Sequence, residues 1–130
     1  MIELLRHACY NGGNLRHVRE ILLDPDYEPI MAVELQFDAL TVTFSAMADD
    51  DTIMAASGPF TGPLRQTINP VWALCIGKSL QWAWLMTNQQ GYTDGARLEF
   101  NDPDNPQSVI VELVAEASSL SVYLAGPTEA

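Results

Sequence analysis

Positively charged residues are scarce in this chain of 130 residues. Five arginines and a single lysine, Lys78, stand against seventeen aspartates and glutamates, which gives a formal net charge of −11 and a sequence pI of about 4.2. This charge repels a nucleic-acid backbone and an anionic membrane surface, so neither is predicted as a partner. A basic protein is the partner that the charge favours, because opposite charges speed the encounter.

Cysteine is also rare, and the sequence has no long hydrophobic run. Cys9 and Cys75 both lie among apolar residues, which is typical of buried free thiols in a reducing compartment. The N-terminus lacks the basic and then apolar pattern of a signal peptide. No apolar stretch reaches the ~18 residues that span a bilayer. These absences predict a cytoplasmic protein.

The composition predicts one folded domain over residues 1–130. Hydrophobic residues make up 48% of the chain and charged residues 18%. This much apolar surface can form a core without a disulfide or a metal. The only run of acids is Asp49 to Asp51, so we expect the negative charge to be spread over a folded surface.

The first half of the chain shows one helical pattern followed by strand patterns. Apolar residues at helical spacing precede Asn11, Gly12 and Gly13, which end a helix. Residues 15–23 fit either element, and a strand is favoured because the meander that follows needs a neighbour. The predicted elements are a helix over 2–10 and strands over 15–23, 31–37, 40–46 and 52–55.

The second half begins with a helix signal at Asn69-Pro70, an N-cap followed by a proline in the first turn. In residues 79–87, period-two spacing places Trp82 and Trp84 on the same face as Leu80 and Met86. We expect this face to pack in the core, and an exposed partner-binding face is the alternative. The predicted elements are a helix over 70–76 and strands over 79–87, 96–100, 109–113 and 120–124.

Together these elements predict an α+β domain. Its sheet is expected to be predominantly antiparallel and strongly curved or partly closed, with about seven or eight strands and two short helices. A parallel doubly wound sheet is excluded, because no strand–long helix–strand repeat is present.

The triple aspartate at Asp49, Asp50 and Asp51 follows a predicted strand. It lacks the alternate spacing, the glycine and the closing glutamate of a calcium loop. A solvated turn is the simplest interpretation. If the triplet has a function, we expect it to be an acidic contact for a basic partner.

The stretch 88–95 is a polar loop between two strands, rich in amides and glycine. Its side chains can donate and accept hydrogen bonds to a polar ligand or a peptide backbone, or can instead satisfy the loop's own backbone. Loops held on a rigid sheet often carry function. The predicted partner-binding residues here are Asn88, Gln89, Gln90, Tyr92 and Asp94.

The sequence contains no catalytic or cofactor motif. His7, Cys9, His17 and Cys75 match no zinc spacing. A nucleophile elbow and a phosphate-binding loop are also absent. No catalytic residue, metal or cofactor is therefore predicted.

Two segments, Asp50-Asp51-Thr52-Ile53 and Trp84 to Gly95, resemble small uncharacterised bacterial proteins of unknown function. This resemblance covers about a quarter of the chain and implies no activity. In size, charge and fold class alone, the chain is also similar to immunity proteins, which neutralise toxins made by neighbouring cells. Fold similarity does not by itself imply function.

Three functions remain open from the sequence. The favoured one is an acidic, non-catalytic protein-binding domain, such as an immunity-type inhibitor of a basic partner. The alternative is a small enzyme or ligand-binding domain with a pocket near Trp82, Trp84 and Tyr92, where His17 or Asp94 would be the base. The third is a homodimer formed through an exposed edge strand or an apolar sheet face.

Overall fold

The computed structural model describes residues 1–22, 29–47, 51–60, 64–65, 69–116 and 119–125, with the backbone alone for 64–65 and 105–106. The described residues form two helices and nine strands. In chain order these are α1 (Ile2–Asn11), β1 (Leu15–Leu22), β2 (Ile30–Phe37), β3 (Thr41–Met47), β4 (Thr52–Ser57), β5 (Leu64–Arg65), α2 (Pro70–Ala73), β6 (Ser79–Thr87), β7 (Thr93–Asp102), β8 (Asn105–Glu116) and β9 (Ser119–Leu124).

All of the strand pairs in the sheet are antiparallel. The strand order is β4-β3-β2-β9-β8-β7-β6, with β1 beside β2 and β5 beside β1. The two halves of the sheet, β1–β5 and β6–β9, are joined where Ile30 of β2 pairs with Leu120 of β9. β4 packs against β7 and β8, far from it in the strand order, so the sheet curves until its halves face each other.

The predicted antiparallel sheet with two short helices is confirmed, but the protein is mostly β. α1 spans ten residues and α2 only four. The strand interpretation of residues 15–23 is confirmed over the described residues Leu15–Leu22, which form β1, and Val18 pairs there with Leu35 of β2. Most of the described residues lie in strands, and the two helices contribute side chains to the core.

The core lies between the two halves of the sheet, where the period-two patterns predict it. Phe44 faces it from β3, Leu98 and Phe100 from β7, and Leu113 from β8, all fully buried. α1 contributes Leu5 and Ala8, and the turn containing α2 contributes Trp72 and Cys75. Both cysteines are free thiols, as expected, although Cys9 is only partly buried.

The ends of both helices follow the local sequence signals. In α2, the side chain of Asn69 accepts a hydrogen bond from Val71 N–H at 3.0 Å, and Pro70 follows the cap. α1 ends at Asn11, and Gly13 takes the left-handed conformation with φ +79°. The predicted second helix is shorter than expected, because the chain turns after Ala73. The last predicted turn of that helix is a tight turn before β6.

Candidate functional site

Trp82 and Trp84 lie on the surface, so the prediction that they pack in the core is wrong. Their side chains are 56% and 43% exposed, whereas Leu80 on the same strand is buried. The cause is a β-bulge: Leu80 pairs with Phe100 and Trp82 with Glu99, so Gln81 is an extra residue in β6. An extra residue reverses the side-chain alternation beyond it. Both tryptophans therefore point outward.

The exposed tryptophans form a stacked pair. Their ring centroids are 6.5 Å apart with an angle of 23° between the ring planes. The guanidinium of Arg97, opposite Trp84 on β7, lies 5.7 Å from the centroid of that ring. Arg97 in turn approaches Glu112 of β8, with Nη1 at 3.6 Å from Oε1. The pair is thus held on a rigid sheet, with a cation against one of the two rings.

The outer surface of β6–β9 continues this arrangement across four strands. Glu112 is opposite Tyr123 of β9, whose side chain is 48% exposed. In the neighbouring row, Trp82 is opposite Glu99. We call this surface the aromatic face and define it by Trp82, Trp84, Arg97, Glu99, Glu112 and Tyr123. Neighbouring exposed aromatic side chains edged by charge are typical of an interaction site.

The predicted loop at 88–95 is shorter in the structure, because β7 begins at Thr93. Asn88 holds the loop together. Its Oδ1 accepts hydrogen bonds from Gln90 N–H at 2.9 Å and Tyr92 N–H at 3.2 Å, and its Nδ2 donates to Asp94 Oδ2 at 3.1 Å. Gln89, Gln90 and Tyr92 are exposed. Gln89, Gln90 and Tyr92 can therefore reach a partner, while Asn88 and Asp94 shape the loop.

The predicted acidic triplet is only partly described. Asp49 and Asp50 lie outside the described residues. Asp51 is exposed in the turn between β3 and β4, with φ +55°, and its N–H donates to Met47 O at 3.1 Å. The turn belongs to the hairpin at one end of the strand order, and the 88–92 loop belongs to the hairpin at the other end.

A groove of about 260 Å³ lies between α1 and β6. Apolar atoms dominate its surface, and Arg6 supplies a charge at its edge. Of the three residues proposed to line a pocket, Trp82 alone lines this groove. Burial raises the pKa of the Cys9 thiol, which keeps it protonated and a weak nucleophile. The groove is lined by Ile2, Leu5, Arg6, Cys9, Tyr10, Gln81, Trp82 and Ala83.

The histidines and cysteines do not come together in the described part of the chain. Nδ1 of His7 is 3.1 Å from the side-chain nitrogen of Asn11, and His17 is exposed on β1. Burial raises the pKa of Cys75 to about 12, against the opposing charge of Lys78. Within the described residues, no group of three or more His, Cys, Asp or Glu side chains is placed to hold a metal ion.

Sequence reasoning did not single out Glu34 as a buried group. Glu34 alternates with Val33 and Leu35 along β2, yet its side chain is fully buried. Arg19 binds both of its oxygens, at 2.8 and 2.9 Å, and Gln36 and Phe60 N–H donate to it at 2.5 and 3.1 Å. The one sequence feature that indicates its burial is its position between two apolar residues of the strand, Val33 and Leu35. The network ties Phe60 to β2 through its N–H.

Neither described helix has the length and hydrophobicity needed to cross a bilayer.

No curated protein matches the chain, and no solved structure matches it. One family model does match, over residues 2–129, and its description is a family of unknown function. Because that match covers nearly the whole sequence, the chain belongs to the family of unknown function DUF6334.

Proposed function

We propose that this protein is an acidic, non-catalytic domain that binds a basic protein through its aromatic face. The observation that carries this proposal is the exposed, stacked pair of Trp82 and Trp84 on the sheet of a protein with net charge −11. Tryptophan, tyrosine and arginine are the residues that most often dominate binding energy at interfaces. All three types are present on this face.

The rigidity of the face supports binding. Trp82 and Trp84 stand on a paired strand, and Arg97 packs against Trp84. A partner therefore meets side chains that are already ordered, which reduces the entropy lost on association. The high negative charge steers a basic partner toward the protein and speeds association, an effect that falls as salt screens it.

The residues predicted from the sequence belong to the same proposal. Gln89, Gln90 and Tyr92 are exposed at the turn of the hairpin that carries both tryptophans, where they can contact the edge of a partner. Asp49, Asp50 and Asp51 would add negative charge at a second hairpin. An immunity-type inhibitor in the cytoplasm, which covers the basic cleft of a toxin that acts on nucleic acid, is the form of partner binding that we favour.

The test compares capture by three forms of the protein. Wild type, the double variant Trp82→Ala/Trp84→Ala and the control Leu74→Ala are immobilised and exposed to a lysate of the source organism at low and moderate salt. Leu74 is also an exposed apolar residue, at 47%, but it lies next to α2. Captured proteins are identified by mass spectrometry, and any candidate is then purified and its Kd is measured.

We expect one basic protein to be retained by wild type and by the control, with weaker retention at moderate salt. Its Kd should rise at least about tenfold in the double variant, since loss of one interface tryptophan alone often removes more than about 1.4 kcal/mol. The proposal is wrong if every retained protein binds the double variant as tightly as wild type, or if no basic protein is retained.

The groove between α1 and β6 favours a second function, the binding of a small aromatic carboxylic acid. Its walls are largely apolar, and Arg6 lines it with a guanidinium that pairs with Glu3 at 3.2 Å and can exchange this exposed partner for a ligand carboxylate. Benzoate, indole-3-acetate and phenylacetate are suitable probes in a thermal-shift assay. We expect a rise in Tm with the matching acid that is lost in Arg6→Gln but kept in Arg16→Gln. Equal shifts in both variants would contradict ligand binding in this groove.

A further inference from the structure

The aromatic face contains two neighbouring rows of side chains that cross β6, β7 and β8. In the first row, Trp84, Arg97 and Glu112 place a cation between an aromatic ring and a carboxylate. In the second row, Trp82 is opposite Glu99 and Glu99 is opposite Ile110. No described cation pairs with Glu99 or stacks on Trp82, although Arg6 lines the groove beside Trp82. The carboxylate of Glu99 thus stands opposite the ring, at the position that the guanidinium of Arg97 takes in the first row.

We infer that the second row is a binding site for an arginine side chain of the partner, which stacks on Trp82 and pairs with Glu99. This inference rests on the proposed function and identifies the chemistry that the aromatic face would recognise. The side chain of Trp82 is 56% exposed, more than that of Trp84, so its ring is accessible. The partner's guanidinium would lie against this ring and beside the carboxylate of Glu99.

The charges of the two rows agree with this assignment. The aromatic face carries two carboxylates, Glu99 and Glu112, and one guanidinium, that of Arg97, which lies beside Glu112. Glu99 forms no ion pair with another described residue. One incoming cation would therefore balance the face, and the place left for it is beside Glu99.

Arginine suits this site better than lysine does. Its guanidinium is planar, stacks on an aromatic ring and can bind both oxygens of a carboxylate. Directly opposite residues in an antiparallel pair have Cβ atoms about 5 Å apart, so a single guanidinium can reach both Trp82 and Glu99. Arg97 already makes a contact of this kind with Trp84.

The test uses the acetylated peptide Gly-Gly-Arg-Gly-Gly, with a matched peptide in which neutral citrulline replaces arginine. Binding is followed by NMR through the indole N–H signals of the three tryptophans, each assigned with a single Trp→Phe variant. Trp72 is fully buried and serves as an internal reference. The variant is Glu99→Gln, and the control is Glu116→Gln, which removes the same charge from an exposed position on β8.

We expect the arginine peptide to shift the Trp82 signal with a measurable Kd, and the citrulline peptide to leave it in place. Glu99→Gln should weaken binding by about threefold, the size expected for an exposed cation–π and ionic contact, while Glu116→Gln should not. The inference is overturned if Trp82 does not shift, if both peptides shift it equally, or if both variants weaken binding equally.

A second measurement separates this inference from the proposed function. The Kd of the captured partner is measured with wild type and with Glu99→Gln. If the partner needs the two tryptophans but binds Glu99→Gln as tightly as wild type, the arginine site is wrong and the binding face stands. If the Kd of the partner is also unchanged in Trp82→Ala/Trp84→Ala, the proposed function is wrong as well.

Discussion

Glu34 joins β1, β2 and the residues after β4 through one buried carboxylate. A buried carboxylate is unfavourable unless donors surround it. Glu34 has four such hydrogen bonds, two from Arg19 and one each from Gln36 and Phe60 N–H. Because Phe60 follows β4 and Arg19 lies on β1, this one side chain connects distant parts of the chain.

Replacing Glu34 by glutamine should destabilise the protein strongly. The amide removes the negative charge and leaves the largely buried guanidinium of Arg19 without its partner. We expect the free energy of unfolding to fall by about 3 kcal/mol, as when one member of a buried ion pair is lost. Urea denaturation measures it, with Glu116→Gln as the control that should leave stability unchanged. A loss no larger than the control's would contradict this role.

The same carboxylate predicts the response of the protein to acid. Burial disfavours the charged form of Glu34, but hydrogen bonds from Gln36, Phe60 and Arg19 outweigh it and lower the pKa. The pKa of Asp38 is also lowered, by Arg16 and by the N–H of Asn14. A lowered folded pKa gives stability that is present above the unfolded value and is lost as the pH falls through the folded value.

We therefore expect the Tm to be nearly constant from pH 7 to about pH 5 and to fall below about pH 4, where unfolded glutamate takes up a proton. In Glu34→Gln this fall should be shallower, because one of the groups that must be protonated is gone. Calorimetry across this pH range measures both. A fall of equal steepness in the two proteins would exclude Glu34 as a main contributor.

At the level of single elements, β6 shows how one inserted residue decides a functional surface. The strand pairs with β7 over its whole length, and Gln81 interrupts the alternation after Leu80. Beyond the bulge, Ala83 and Leu85 turn toward the core, and the two tryptophans turn outward. The bulge thus decides that the tryptophans lie on the aromatic face, because the hydrophobicity of the strand residues alone would favour burying them.

Deleting Gln81 should leave both tryptophans exposed, because the shortened strand alternates regularly with the same residues inward. Deleting Ala83 should force one of the two tryptophans toward the core or prevent folding, because it makes them consecutive. Acrylamide quenching of tryptophan fluorescence distinguishes these outcomes, with circular dichroism as the check on folding. If deletion of Gln81 lowered quenching to the level of a buried indole, the bulge would not explain the exposure.

At the scale of the whole molecule, the net charge of −11 is the dominant long-range feature. The described ion pairs use four of the six basic side chains, Arg6, Arg16, Arg19 and Arg97. Most of the seventeen acids therefore have no cation to balance them. Their mutual repulsion opposes the compact state and is reduced when salt screens it.

Sodium chloride should therefore stabilise the protein. Between 0.02 M and 0.3 M we expect the Tm to rise by about 3 °C and then to level off, since the Debye length is already short at the higher value. Differential scanning calorimetry measures this rise. A Tm that kept rising linearly to 1 M would indicate a salting-out effect, and an unchanged Tm would exclude strong repulsion in the folded state.

Local sequence patterns predict most strand positions, the core residues of β3, β7 and β8, the C-terminal end of α1 and the N-cap of α2. These features depend on neighbours in the chain, because period-two alternation, an Asn-Pro cap and a glycine stop act locally. The net charge is also a property of the sequence alone. It led to the expectation of a basic partner, which stays a prediction.

Only the tertiary structure decided which residues form the candidate site. The outward turn of Trp82 and Trp84 depends on the register between β6 and β7, and a bulge leaves no clear signal in a run of apolar residues. Likewise, the carboxylate of Glu34 is surrounded by donors that include Arg19 of β1 and Phe60 N–H after β4, which its own strand does not encode. The exposure of the tryptophans and the burial of Glu34 both depend on pairing between distant segments of the chain. The same local alternation of residues is compatible with burial of either face of a strand, so it does not determine which face is buried.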